Sequence, residues 1–368
     1  MVNDVNGTMI LASAPMHQEQ DRAETLSSAL ARLSDARGTI MGPRRDALFF
    51  WGAPLVALLA VKAWLALAAL QSPTIGDNMA NALVTFSVII TYGHLIAVVP
   101  RAYLNKDVFA AHRMRLTVVP VALIAALMLS PTAFALLGAV AIFWDVHHSA
   151  MQNFGLARIY DLKAGNMTER LRRTDLRLNW FLYVGPLAAG AGLLLHLHAL
   201  DRLNDTSLAA IARLPGLLEG QLSIIAAIAM ALWAGAIGLA VTDYRRAMAD
   251  GYRLPPHKLA LIMTTGFVSL ITWGFSSPLV ALVSINIYHA VQYFALVWLK
   301  EGARMKTAMP SGRWTAAIIF GALCALFGIA YSVAAVANIR WLGVIFLACS
   351  LLHFWYDGFV WSVRKREV

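Results

Sequence analysis

Long apolar stretches alternate along this chain with short, strongly basic connections. The stretches lie at about 47–70, 79–99, 110–129, 132–156, 179–199, 219–241, 258–275, 279–299, 314–336 and 341–362. About 20 apolar residues rising 1.5 Å each span the ~30 Å hydrocarbon core of a bilayer as one α-helix. The pattern therefore predicts an all-α polytopic integral membrane protein with about ten transmembrane helices. Ser130-Pro131 and Ser277-Pro278 read as tight turns, since proline fits the first turn of a helix and serine caps it. Leu116–Leu129 alone is too short to cross, so the third helix must begin near Ala110, with His112 in its first turn.

Residues 1–46 break the pattern. They are polar, lack the apolar core of a signal peptide, and read as a cytosolic, partly disordered tail, with a short amphipathic helix from Asp21 to Leu33. Residues 47–368 form a single transmembrane domain.

Composition sharpens the class. The chain has 368 residues, 59% of them hydrophobic and 14% charged, with a mean hydropathy of +0.64. No soluble domain of this size needs so much apolar surface. The net charge of +10 does not signal nucleic acid, because the basic residues sit in the connections between stretches and not along one patch. Those connections set the orientation. If the helices alternate, one side carries 23 Lys and Arg and the other only Arg202, Arg213 and Arg340. Both termini are then cytosolic, as in a bacterial inner membrane protein. Lys62, inside the first stretch, reads as snorkelling outward. Cys324 and Cys349 both lie in apolar runs, which argues against a disulfide framework or a thiolate metal site. Ala150–Leu156 and Ala290–Leu296 align without gaps, each ending a helix that follows a Ser-Pro turn, a short parallel repeat.

The candidate chemistry is the set of polar residues within these stretches. Asp145, His147 and His148 fall inside the fourth. Asp145, His148 and Gln152 share one helical face, and His147 lies about 100° away. An aspartate near a bilayer centre costs roughly 2.5–3.5 kcal/mol on insertion scales, so it needs a partner or a purpose. With the topology above, His94, His112, His147, His148, His289 and His353 all fall in the cytosolic half, together with Asp145 and Asp357. We expect these six histidines to ligate metal, with Asp145 and Asp357 as ligands or catalytic bases. Gln152, Asn286 and Gln292 would hydrogen-bond the ligands, and Trp144, Phe154, Phe294, Trp355 and Trp361 would keep the site dry. His196 and His198 lie at the opposite, wetter end of the fifth stretch. His257, after Pro255-Pro256, reads as a solvated loop residue. A donor set of imidazoles and carboxylates without thiolate suits iron, and eight groups suffice for two ions; manganese, copper and zinc also accept such ligands.

The segments Asp145-Val-His-His148 and His353-Phe-Trp-Tyr-Asp357 resemble the histidine clusters of the integral-membrane di-iron enzymes, the fatty acid desaturases, hydroxylases and alkane monooxygenases. The chain has no H-x-x-H-H or H-x-x-x-H box, so the resemblance implies a reaction class. That class activates O2 against a C–H bond of a lipid-like or other apolar substrate, by hydroxylation, desaturation or cleavage. In outline the chain also looks like the membrane carotenoid-cleaving oxygenases. With no G-x-G-x-x-G motif or soluble redox domain, electrons would come from a separate donor protein, for which the basic loop Arg158–Arg177 offers a surface. Two other classes fit the same residues: a b-type haem or quinone redox protein, and a proton-coupled transporter in which Asp145 and Asp357 titrate.

Overall fold

A computed structural model describes residues 31–167, 169–190, 192–308 and 313–361. Among them no strand occurs, and all ten apolar stretches fold as helices. These are α1 (Ala53–Ala69), α2 (Pro73–Ile96), α3 (Arg113–Leu129), α4 (Pro131–Lys163), α5 (Arg172–Ala189), α6 (Leu222–Ala249), α7 (Pro256–Phe275), α8 (Pro278–Ala308), α9 (Arg313–Val336) and α10 (Arg340–Val360). Seven helices are long and apolar enough to cross a membrane: α4, α6 to α10, and α2 with its continuation to Leu104. The number rises to nine if two bent pairs each make one span, Pro43–Trp51 with α1 and α5 with Gly192–Leu203.

The departures from ten straight spans have local causes. The first stretch bends by 56° where Gly52 separates the Pro43–Trp51 segment from α1. The third does not start near Ala110, because His112 leaves helical geometry (φ −126°, ψ 21°) and splits a short helix, Lys106–Ala111, from α3. The 17 residues of α3 reach only ~25 Å. The expected helix from Asp21 lies outside the described residues except for its last three.

Capping chemistry sets several helix starts. Ser130 Oγ accepts from Ala133 N at 3.1 Å, and Ser277 Oγ from Val280 N at 3.4 Å, each just before the proline that opens α4 or α8. Pro256 opens α7 likewise, and this corrects the reading of His257. That residue sits in the first turn of α7, fully buried and stacked on Tyr160 at 5.7 Å. The end of the polar tail is also held down. Buried Asp46 accepts from Ile40 N and Met41 N, both at 2.7 Å, and from Tyr160 Oη at 3.1 Å.

Helix α8 is the axis of the molecule: 72% of its apolar window is buried, against 11% in α6 and 17% in α9. The main core joins α1, α4, α5, α7 and α8 through residues such as Val61, Ala150, Tyr183, Val268 and Tyr288. A second core joins α2, α3, α8, α9 and α10 around Tyr293, Cys324 and Tyr356. Helices α2 and α9 meet backbone to backbone. A Cβ at Gly93 would lie 2.6 Å from the Cys324 carbonyl oxygen, and one at Gly328 would lie 2.0 Å from that of Ile89. Such small-residue contacts let membrane helices approach closely, and this one fixes α2 against α9 next to the residue His94.

Candidate metal centre

Helix α8 and three of its neighbours converge their imidazoles on one point. His94 (α2), His148 (α4), His289 (α8) and His353 (α10) each offer a donor atom, and the four atoms all lie within 4.8 Å of one another. Ring centroids are 4.8–5.0 Å apart for the pairs 94–289, 94–353, 148–289 and 148–353, all edge to face. The four residues are at most 4% exposed.

Buried side-chain atoms without a hydrogen-bond partner occur elsewhere among the described residues, as at Ser269 and Ser284, but they concentrate in this cluster. Both ring nitrogens of His94, His289 and His353, and Nε2 of His148, are buried without a hydrogen-bond partner. Burying one such group unpaired costs roughly 1–3 kcal/mol, and more than 90% of buried polar groups in proteins avoid it. Metal coordination would remove that cost for one nitrogen of each ring. Four nitrogens bound to one ion at about 2.0–2.1 Å can be no farther apart than about 4.2 Å, so a small inward shift brings these donors into one coordination sphere. The residues therefore fit a single metal ion.

Asp357 completes the rim. Its Oδ1 accepts from Tyr293 Oη at 2.8 Å and from Trp361 Nε1 at 3.1 Å. Those two bonds leave Oδ2 facing the imidazoles, 3.7 Å from His148 Nε2 and 3.9 Å from His353 Nε2. Tyr293 and Trp361 thus hold the carboxylate. Trp361 was read only as a drying residue and Tyr293 not at all, although each lies one helical turn after a candidate, His289 or Asp357.

The other expected site residues lie elsewhere. His112 packs on Phe359 with ring centroids 4.6 Å apart, at the break before α3. His147 packs on Trp144 at 5.3 Å, one residue and about 100° of helix away from the cluster. Asp145 and Asn286 line a separate small cavity with Ser149, Tyr183 and His196. Gln152 donates to the His289 carbonyl at 3.0 Å and to Gln292 Oε1 at 2.9 Å, and Gln292 donates to the Phe50 carbonyl at 3.0 Å. These two amides join α4, α8 and the Pro43–Trp51 segment behind the cluster and do not reach its ring nitrogens.

A cavity of about 290 Å³ lies beside the cluster between α4 and α10. Its wall includes His148, Asp357 and Tyr293 at the metal centre, and Trp144, Phe354 and Trp355 among its apolar surfaces.

A second buried polar region behaves differently. Arg158 on α4 and Lys258 on α7 both pair with Asp161 on α4 and Asp175 on α5; Lys258 Nζ lies 2.6 and 2.8 Å from the two carboxylates. Tyr244 donates to Asp175 and Tyr252 to Asp161, and Lys258 donates to Tyr252 Oη at 3.1 Å. Burial and the neighbouring Asp161 carboxylate push the Tyr252 phenol above its ordinary range. Arg170 caps the end of α6 by donating to the Ala247 and Asp250 carbonyls. Arg158, counted as a loop charge in the sequence, is therefore committed inside the protein, and half-buried Arg170 is committed to the end of α6.

The chain matches no protein-family model, no curated protein and no solved structure. What the fold and site define is a class: an all-helical protein with seven to nine helices able to cross a membrane, carrying a buried four-histidine cluster.

Proposed function

We propose that this protein is an integral-membrane metal-dependent oxygenase that binds one non-haem iron and acts on an apolar substrate taken from the bilayer. One observation carries the reading: four imidazoles from four helices meet with seven of their eight ring nitrogens buried and unpartnered. His94, His148, His289 and His353 would hold the ion, and an all-nitrogen set with one nearby carboxylate suits iron, with manganese, copper and zinc as competitors. When bound, iron supplies O2 activation. The chain's own residues fix the donor geometry, hold Asp357 where its Oδ2 can ligate or accept a proton, and exclude water with aromatic walls.

The sequence pointed to two ions, but with Asp145, His112 and His147 elsewhere, the donors favour one. Haem is less well supported. In four of the six imidazole pairs the rings pack edge to face at 4.8–5.0 Å and leave no gap for a macrocycle between them. The transporter reading needs Asp145 and Asp357 on one path, and they line different cavities.

Our topology keeps all ten helices in or at the membrane with both termini cytosolic, supported by the 23-to-3 bias in loop charge. The metal centre then sits in the cytosolic half of a bacterial inner membrane. A separate electron donor would dock on the exposed Lys163, Arg172 and Arg173 and not on buried Arg158.

Elemental analysis and a visible spectrum of the purified protein test this. We expect about one iron per chain and no Soret band. A Soret band selects haem, and a wild-type protein that takes up no transition metal from an Fe(II) solution overturns the reading.

A further inference from the structure

The cavity beside the cluster has a definite shape. Along α4 its wall is one stripe, Trp144, His148, Met151, Gly155 and Ile159, spaced by three or four residues. From Trp144 to Ile159 the stripe runs about 22 Å. Roughly 290 Å³ spread over that length makes a slender slot. Trp144 and Trp355, on the two facing helices, are 47% and 39% exposed, so the slot is open along the surface between α4 and α10.

Two glycines, one inside α4 and one in the last turn of α10, leave its walls bare. Gly155 on α4 and Gly358 on α10 both line the slot, and a Cβ added at either would meet nothing within 4 Å. Glycine weakens a helix interior relative to alanine, and neither glycine is needed for close helix packing, unlike Gly93 and Gly328. Their effect is to keep open a space that any larger side chain would enter.

We infer that Gly155 and Gly358 are the size-determining residues of a lateral slot. It admits an extended, unbranched apolar chain from the bilayer between α4 and α10 and brings it to His148 and Asp357. The inner wall of the slot includes His148 of the cluster with Asp357 and Tyr293, and its mouth opens where lipid chains would lie in the proposed topology. What chemistry the slot serves rests on the oxygenase reading, but the slot itself can be tested without metal.

Bromoalkanes quench tryptophan on contact, and Trp144, Trp355 and Trp361 line the slot. We would titrate detergent-solubilised full-length protein with 1-bromododecane and follow tryptophan fluorescence, with metal content measured on the same samples. Wild type and Gly321→Leu, a control on an exposed face of α9, should show a saturable quenching component above the linear background. Gly155→Leu and Gly358→Leu should each lose that component, and the Gly→Ala variants should weaken it, with metal content unchanged throughout. The substitutions raise helix propensity, so retained metal content reports an intact fold. A purely linear response in wild type, or saturable quenching that survives both leucine variants, overturns the slot whatever the metal content. Metal-free protein with saturable quenching that the leucines abolish leaves the slot standing and removes the metal reading.

Discussion

Lys258 and His289 are almost equally inaccessible, at 0% and 1% exposure, yet their polar atoms are treated in opposite ways. All three donor positions of the Lys258 ammonium are taken, by Asp161, Asp175 and Tyr252. Neither ring nitrogen of His289 has a partner. The ion network is complete within itself: two cations face two carboxylates, and two phenols fill further acceptor positions. It ties α4, α5, α6 and α7 together and asks for nothing from outside. The histidine cluster brings four imidazoles together, and the Asp357 carboxylate lies 3.7–3.9 Å from two of them, beyond hydrogen-bond distance. A buried polar group that folding itself requires arrives with its partners. In the proposed reading, the unpartnered nitrogens that concentrate in this cluster are where a metal ion would bind.

The largest effect should come from breaking the complete network. Lys258→Met leaves the Asp161 and Asp175 carboxylates facing one arginine, and removing one member of a buried ionic group typically costs 3–5 kcal/mol. Chemical denaturation in detergent should show a loss of about that size, and the double variant Lys258→Met/Asp175→Asn should recover part of it. A Lys258→Met protein as stable as wild type would mean the network is not the clamp described here.

The opposite pattern is expected at the cluster. Without metal, His289→Ala removes an unsatisfied imidazole and should leave stability equal to or above that of wild type. With metal at about 100 times its Kd, wild type should gain roughly 2.7 kcal/mol, and His289→Ala and His148→Ala should gain almost none. Denaturation curves recorded with and without Fe(II) read both quantities. If His289→Ala destabilises the metal-free protein and leaves the metal effect intact, the imidazole is structural and the comparison collapses. Smaller changes should follow at the groups that orient Asp357. Tyr293→Phe and Trp361→Phe each remove one hydrogen bond to Oδ1, and loss of such orienting contacts typically lowers metal affinity 10–100-fold. Competition with a chelator of known affinity measures this, and an unchanged affinity in both variants would detach Asp357 from the metal site.

Much of this was legible in the chain. Apolar length alone located the helical stretches, because a run of 18 or more apolar residues has few other ways to fold. Of the ten expected spans, however, seven, or nine with two bent pairs, are long and apolar enough to cross a membrane. Depth within those runs picked out His94, His148, His289 and His353, since residues at matching depth in adjacent helices can meet. Rotation about each helix axis was harder to read. Asp145 is one turn before His148, and a helical wheel puts them about 60° apart, yet packing turns Asp145 toward Tyr183 and Asn286. The ion network escaped notice because positive-inside counting treats Arg158 and Lys258 as loop charges. Only the packing of α5 against α4 and α7 reveals Asp161 and Asp175 between them.

The finest test of that rotation is the His147–His148 doublet, where adjacent residues of identical chemistry should differ in function. His148 Nε2 points into the cluster, while the His147 ring leans on Trp144 and its residue is only half-buried. His147→Ala should therefore keep wild-type metal content, as should His112→Ala, whose ring lies against Phe359. His148→Ala should lose the metal. His147 does line the slot, so its alanine variant should alter only the uptake of an apolar guest, by the few-fold change that deleting one wall contact produces. Equal metal loss in the 147 and 148 variants would show that both imidazoles reach the ion. The donor set would then extend beyond four, and the case for a second ion would reopen.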